Sequence, residues 1–197
     1  VPQSAVQMIE TRADVVDMLK EEKHIHLIVP RGSNAFVKYI QENTKIPVLG
    51  HSEGVCHGYI DKSADLDQAI RISLDSKLQY PAACNAMETL LVHTDISAKI
   101  LPDLVAKLRE KQVELVGCIK TCKVVPEVSP ACESDWDTEY NDLKLSIKIV
   151  DSFSEAVKFI TKHGSGHTDV ILTEDRARAD RSLNEVSSAS VMCNAAT

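Results

Sequence analysis

The chain has 197 residues, 44% hydrophobic and 26% charged, and its 22 basic and 29 acidic side chains leave a net charge of −7. This composition fits a globular protein and excludes disorder. The scattered acidity and the 4% aromatic content exclude a basic nucleic-acid face, and no apolar run reaches the length of a membrane span, so neither nucleic acid nor membrane is an expected partner.

Val1-Pro2-Gln3 has no basic or apolar leader character, which predicts a cytoplasmic protein. Thr11 caps a helix carrying Val15, Val16, Met18 and Leu19. Ile25 to Val29 reads as a strand that Pro30-Arg31-Gly32 ends. Ser33 then caps a helix with Phe36, Val37 and Ile40 on one face. Pro47-Val48-Leu49 is extended, and extension resumes from Val55 to Ile60. Asp65 and Gln68 form a capping box for a helix through Leu66, Ala69, Ile70, Leu74 and Leu78. Glu88 to His93 is a buried strand. Ile100, Leu101, Leu104, Val105 and Leu108 form a helical face, with Pro102 expected in the first turn.

Val113 to Val116 is a short strand, and Cys118 to Thr138 reads as an irregular crossing. Leu143 to Ile149 alternates strictly, as a half-buried strand would. Ser152 and Glu155 form a second capping box, for a helix that stops at Gly164. Asp169 to Leu172 is a strand, Glu174 and Asp175 suit the first turn of a helix ending near Val186, and Ala189 to Met192 is extended. Strands alternating with helices predict an α/β fold, a mostly parallel sheet flanked by helices.

Six cysteines stand at 56, 84, 118, 122, 132 and 193. None is spaced Cys-x-x-Cys, so no metal site is expected. Cys84 lies in a loop of small residues between a helix and a strand, beside Asn85. Free backbone N–H groups in such a loop stabilise a thiolate and an oxyanion. A buried structural thiol is the alternative, and residue types leave both open. Cys56 and Cys193 fall in strand patterns and are expected to pack inside, while the other three look incidental.

Three further segments carry polar groups suited to a site. His51, with Ser52 and Glu53, lies between two glycines that permit close backbone approach. Ser165 to Asp169, with His167, makes a helix-to-strand turn. Arg31-Gly32-Ser33 follows a strand and opens a helix, where phosphate or ribose often binds, but lacks the full Gly-x-Gly-x-x-Gly spacing.

Val29-Pro30-Arg31-Gly32-Ser33-Asn34, Ile46 to His51 and Tyr80 to Leu91 together resemble the gamma-glutamyl phosphate reductase family, of the aldehyde dehydrogenase superfamily. His163 to Asp169 and Cys193 to Thr197 resemble family segments as well. The resemblance implies a fragment, with 1–50 the end of an NADP-binding domain and 51–197 a truncated catalytic domain. It implies reduction of L-glutamyl 5-phosphate by NADPH to L-glutamate 5-semialdehyde and phosphate in proline biosynthesis, through a thioester on Cys84. It places Arg31, Gly32, Ser33 and Glu139 at the cofactor, and leaves His51, Asn85, His167 and Asn194 as substrate-binding candidates. Aldehyde-oxidising relatives have a water-activating glutamate before paired glycines, where this chain has Val48-Leu49-Gly50-His51. Losing that base favours reduction over hydrolysis. A homo-oligomer and an associated glutamate 5-kinase domain or partner are implied for the full-length protein. The competing readings are a catalytically silent interaction module and a thiol hydrolase or acyltransferase, the latter needing a general base beside Cys84.

Overall fold

The computed structural model describes residues 2–50 and 53–197. The chain divides into two compact units, Val1–Ser52 and Glu53–Thr197.

In the first unit, Thr11 caps α1 (Arg12–Met18) with a reciprocal capping box to Asp14. Ser33 accepts from the Phe36 N–H at the start of α2 (Asn34–Asn43). Leu19, Ile28, Ile40 and Ile46 form a small core. The strand expected over 25–29 reduces to a single parallel bridge, Ile28 to Val48. Leu27 and Val29 are exposed on either side of Ile28. Their hydrophobicity reads as a strand, but a strand needs partners on its edges, and among the described residues only Val48 supplies one.

The second unit is a seven-stranded parallel sheet with helices on both faces. Its strands are β1 (Cys56–Ile60), β2 (Met87–His93), β3 (Glu114–Gly117), β4 (Ser129–Pro130), β5 (Lys144–Val150), β6 (Thr168–Leu172) and β7 (Ser190–Cys193), in the order β4-β3-β5-β2-β1-β6-β7. The helices are α3 (Leu66–Leu78), α4 (Thr94–Glu110), α5 (Ile119–Val124), α6 (Phe153–His163) and α7 (Arg176–Glu185). Leu90 and Val92 of β2 pack in the larger core with Ile100, Leu101, Leu104 and Leu108 of α4. Leu91 points the other way, into a second core with Tyr59 and with Phe153 and Ala156 of α6. This is why β2 reads as a continuous apolar run: both of its faces are covered.

The sequence reading departs from this structure at several points. Pro102 is not in a first turn: α4 begins at Thr94, where His93 Nδ1 accepts from the Asp95 N–H, so the proline lies mid-helix. The apolar face of α4, buried from Ile96 to Leu108, outweighs the lost hydrogen bond. β5 is not half-exposed. Ser146 is buried and shares a 2.7 Å hydrogen bond with the Tyr140 hydroxyl, and the Lys148 ammonium lies over the Trp136 and Phe159 rings. Polar side chains of a covered strand were thus read as solvent-facing. The crossing at 118–138 contains α5, β4 and a 3-10 turn at Glu133–Asp137. Ser152 caps α6, but Glu155 returns to the Asp151 N–H, so that box is not reciprocal. Asp175 is the cap of α7 and not a first-turn residue.

Leu104 is fully buried at the centre of the larger core. Leu104→Ala is expected to cost about 2–5 kcal/mol of stability, read as a shift in the urea unfolding midpoint at unchanged slope.

Candidate active site

Cys84 sits where α3 turns into β2. After Leu78 the chain makes two successive turns, Ala83 N–H to Tyr80 O at 3.0 Å and Ala86 N–H to Ala83 O at 2.9 Å. The turns do not use the N–H groups of Cys84 and Asn85. Ala82 and Ala83 keep the loop slim, and Cys84 is partly buried.

Three other segments meet this loop, and each precedes a central strand. Gly54 leads into β1, Glu139 lies ahead of β5 and His167 ahead of β6. With Cys84 ahead of β2, these are the incoming ends of four adjacent strands, β5-β2-β1-β6. The site therefore lies at the amino edge of the sheet, whereas ligands of open α/β sheets usually bind at the carboxyl edge.

Contacts at this edge are close. A Cβ placed on Gly54 would lie 2.1 Å from the Cys84 carbonyl oxygen and 2.7 Å from Glu139 Oε1, so glycine lets the three segments converge. Cys56 is fully buried, and its Sγ donates to the Cys84 carbonyl at 3.3 Å. Burial pushes the Cys56 thiol up to about 12, which keeps it protonated as that donor. The same Sγ lies 3.9 Å from His167 Nδ1, and His167 Nδ1 lies 2.8 Å from Thr168 Oγ1. Cys56 was read as mere packing, and neither pattern nor spacing marks its tie to the Cys84 loop. Behind the loop, the Lys77 ammonium donates to Glu88 at 2.7 Å, both side chains fully or almost fully buried. Burial pushes Glu88 up to about 7 against the opposing pull of Lys77, and burial lowers Lys77.

The structure thus gathers Cys84, Asn85, Glu139 and His167. It does not bring Asn194 to them. Asn194 follows β7 at the carboxyl edge, where its side chain accepts from the Thr173 N–H and donates to the Thr173 carbonyl, both at 2.9 Å. The Asn194 amide is committed to backbone, so it leaves the candidate set. His51 lies outside the described residues. Arg31, Gly32 and Ser33 belong to the first unit, and Gly32 and Ser33 line a cavity of about 790 Å³ there, together with Val15, Val16, Phe36 and Tyr39. Among the described residues, no group of three or more His, Cys, Asp or Glu could hold a metal, and no helix is long and apolar enough to cross a membrane.

The sequence profile of the aldehyde dehydrogenase family matches residues 1–131. The chain belongs to the aldehyde dehydrogenase family. Gamma-glutamyl phosphate reductase of Trichormus variabilis is 53% identical over 192 residues, which are 98% of this chain and 44% of that protein. The same enzyme of Synechococcus sp. (strain JA-3-3Ab) is 55% identical over 196 residues, 100% of this chain and 43% of that protein. The crystal structure of gamma-glutamyl phosphate reductase from Thermotoga maritima is 41% identical and superposes with a TM-score of 0.95, covering 99% of this chain and 48% of that one. This aldehyde dehydrogenase family chain therefore spans a little under half the length of these relatives.

Two outcomes test the geometry. Gly54→Ala is expected to destabilise by about 1–3 kcal/mol through overpacking and to alter the alkylation rate of Cys84, read by urea unfolding and by mass spectrometry of the labelled peptide. Burial raises the Glu88 carboxyl above the ordinary glutamate range against the opposing pull of Lys77, so proton uptake there favours the folded chain in acid, and that contribution is lost as pH rises through the raised value. Carbon-13 NMR of the Glu88 carboxyl is expected to titrate above the ordinary glutamate range.

Proposed function

We propose that the full-length protein reduces L-glutamyl 5-phosphate to L-glutamate 5-semialdehyde and phosphate with NADPH, in the cytoplasm, as a step of proline biosynthesis. The observation that carries this reading is Cys84 itself: a partly buried thiol between two turns whose hydrogen bonds leave out its own N–H and that of Asn85. The family relationship and the gamma-glutamyl phosphate reductase relatives support the substrate class.

The Cys84 thiolate attacks the acyl carbon of the substrate, the carbonyl oxygen takes up charge, and the N–H groups of Cys84 and Asn85 donate to it. Collapse of the oxyanion breaks the bond from the acyl carbon to the phosphate oxygen, and phosphate leaves with that electron pair. A thioester on Cys84 remains. NADPH, when bound, supplies the hydride that reduces this acyl group. The sulfur then departs as thiolate and the aldehyde is released. The Cys56 thiol and the space at Gly54 hold the Cys84 carbonyl, and so the loop, in one position while this happens.

The residues present fit the cofactor. The cavity beside α2 falls in the size range of small-molecule sites and has apolar walls in Val15, Val16 and Phe36. At Gly32 a side chain would meet Phe36 Cδ1 at 2.8 Å, so the turn presents bare backbone. Arg31, Gly32 and Ser33 of the first unit would hold NADPH. His167 and Asn85 are the substrate-binding candidates at the Cys84 edge. The full-length enzyme is proposed to be a homo-oligomer that works with a glutamate 5-kinase domain or partner, since an acyl phosphate is too reactive to accumulate.

The test is NADPH oxidation by the full-length protein, with Cys84→Ser beside it. Turnover is expected to fall by about 10³-fold or more at unchanged unfolding temperature, and substantial retained turnover would overturn the mechanism.

A further inference from the structure

Along β1 and β2 the register skips a residue. Cys56 stands opposite Met87 and His57 opposite Thr89, so Glu88 has no partner across the pair. Such a bulge releases one side chain from the alternation of the sheet, and bulges of this kind recur beside active sites. Glu88 uses the release to reach Lys77 in the last turn of α3, at 2.7 Å. Its other carboxylate oxygen accepts the Asn141 N–H at 3.3 Å. Asn141 stands at φ +54, a left-handed conformation that asparagine tolerates, two residues beyond Glu139. A single carboxylate thus joins the end of α3, the start of β2 and the segment that carries Glu139.

The chain between Lys77 and Glu88 contains Cys84. We propose that the Lys77–Glu88 pair is a positioning device for the reaction: it draws both ends of the nucleophile loop together and, through Asn141, fixes the Glu139 carboxylate against that loop. The proposal rests on the reading of Cys84 as nucleophile. Neither side chain touches substrate, because both are buried. A buried ion pair is a weak source of stability, and a well-packed apolar pair commonly replaces one without loss. Stability alone therefore does not account for a charge pair here. Geometry does, because the bulge, the pair and the left-handed Asn141 meet at one carboxylate.

The test uses the full-length enzyme carrying Lys77→Met with Glu88→Leu, and in parallel Lys77→Met with Glu88→Gln, which keeps an acceptor for Asn141. Both are read well below their own unfolding temperatures. The apolar pair is expected to melt near the parent, yet to lose about tenfold or more in kcat and to shift the iodoacetamide alkylation rate of Cys84 by about threefold or more. The Gln variant is expected to recover part of both. A folded apolar pair with the parent's kcat and alkylation rate overturns the proposal. If the apolar pair does not fold, the Gln variant is judged by the same two readouts, and if neither folds the pair is structural and the proposal falls. Cys84→Ser in the same assay separates the two ideas: retained turnover there would sink the nucleophile, while the alkylation rates still judge the positioning.

Discussion

At Gly54 the volume of a side chain is already occupied by the carbonyl of Cys84 and the carboxylate of Glu139. The rest of the second unit is arranged around that close approach. Parallel strands joined by helices bring every incoming segment to one edge of the sheet, and the four central strands put theirs side by side. Residues 54, 84, 139 and 167, scattered along the sequence, become neighbours by topology. The apolar layers on both faces hold the strands in register, and the register holds the edge.

Polar atoms buried beneath that edge carry its detail. Cys56 gives its S–H to the Cys84 carbonyl, and Glu88 takes N–H groups from Lys77 and Asn141. Each is satisfied by a segment distant in sequence. A polar group in such a position is costly if its partner is lost, so these bonds specify one arrangement of the edge more than they add stability.

Much of this was legible in the sequence, and the parts that were not share a cause. The caps at Thr11 and Ser33 are local chemistry and appear in the structure as read, and Asp65 caps its helix by accepting the Gln68 N–H without the reciprocal half of the expected box. The strand of Met87–His93 announced itself by its apolar run. Cys84 stood out by its slim, alanine-rich loop. The errors arose where distant partners decide. Ile25 to Val29 has strand composition but a single bridging neighbour, and Pro102 was placed at a helix start because the capping role of His93 has no strong sequence signature. Lys148 looked like a solvent-facing residue until the rings of Trp136 and Phe159 came beneath it. Asn194 stood near family-like residues in sequence but at the wrong edge in space. The bulge that frees Glu88 depends on pairing register, which one strand's sequence does not contain.

The amino edge also fixes the polarity of the surroundings. α3 runs into the Cys84 loop with its C-terminus, and α6 runs with its own C-terminus toward the turn that holds His167. Both present carbonyl ends, the negative poles of their dipoles, each worth about 0.3–1 kcal/mol against a nearby anion. A helix N-terminus, the usual means of gripping a phosphate or easing a thiol's ionisation, is not what these two helices offer. The loop's own amides are left to meet any negative charge that gathers at this edge, and an anion arriving there faces a field that does not hold it.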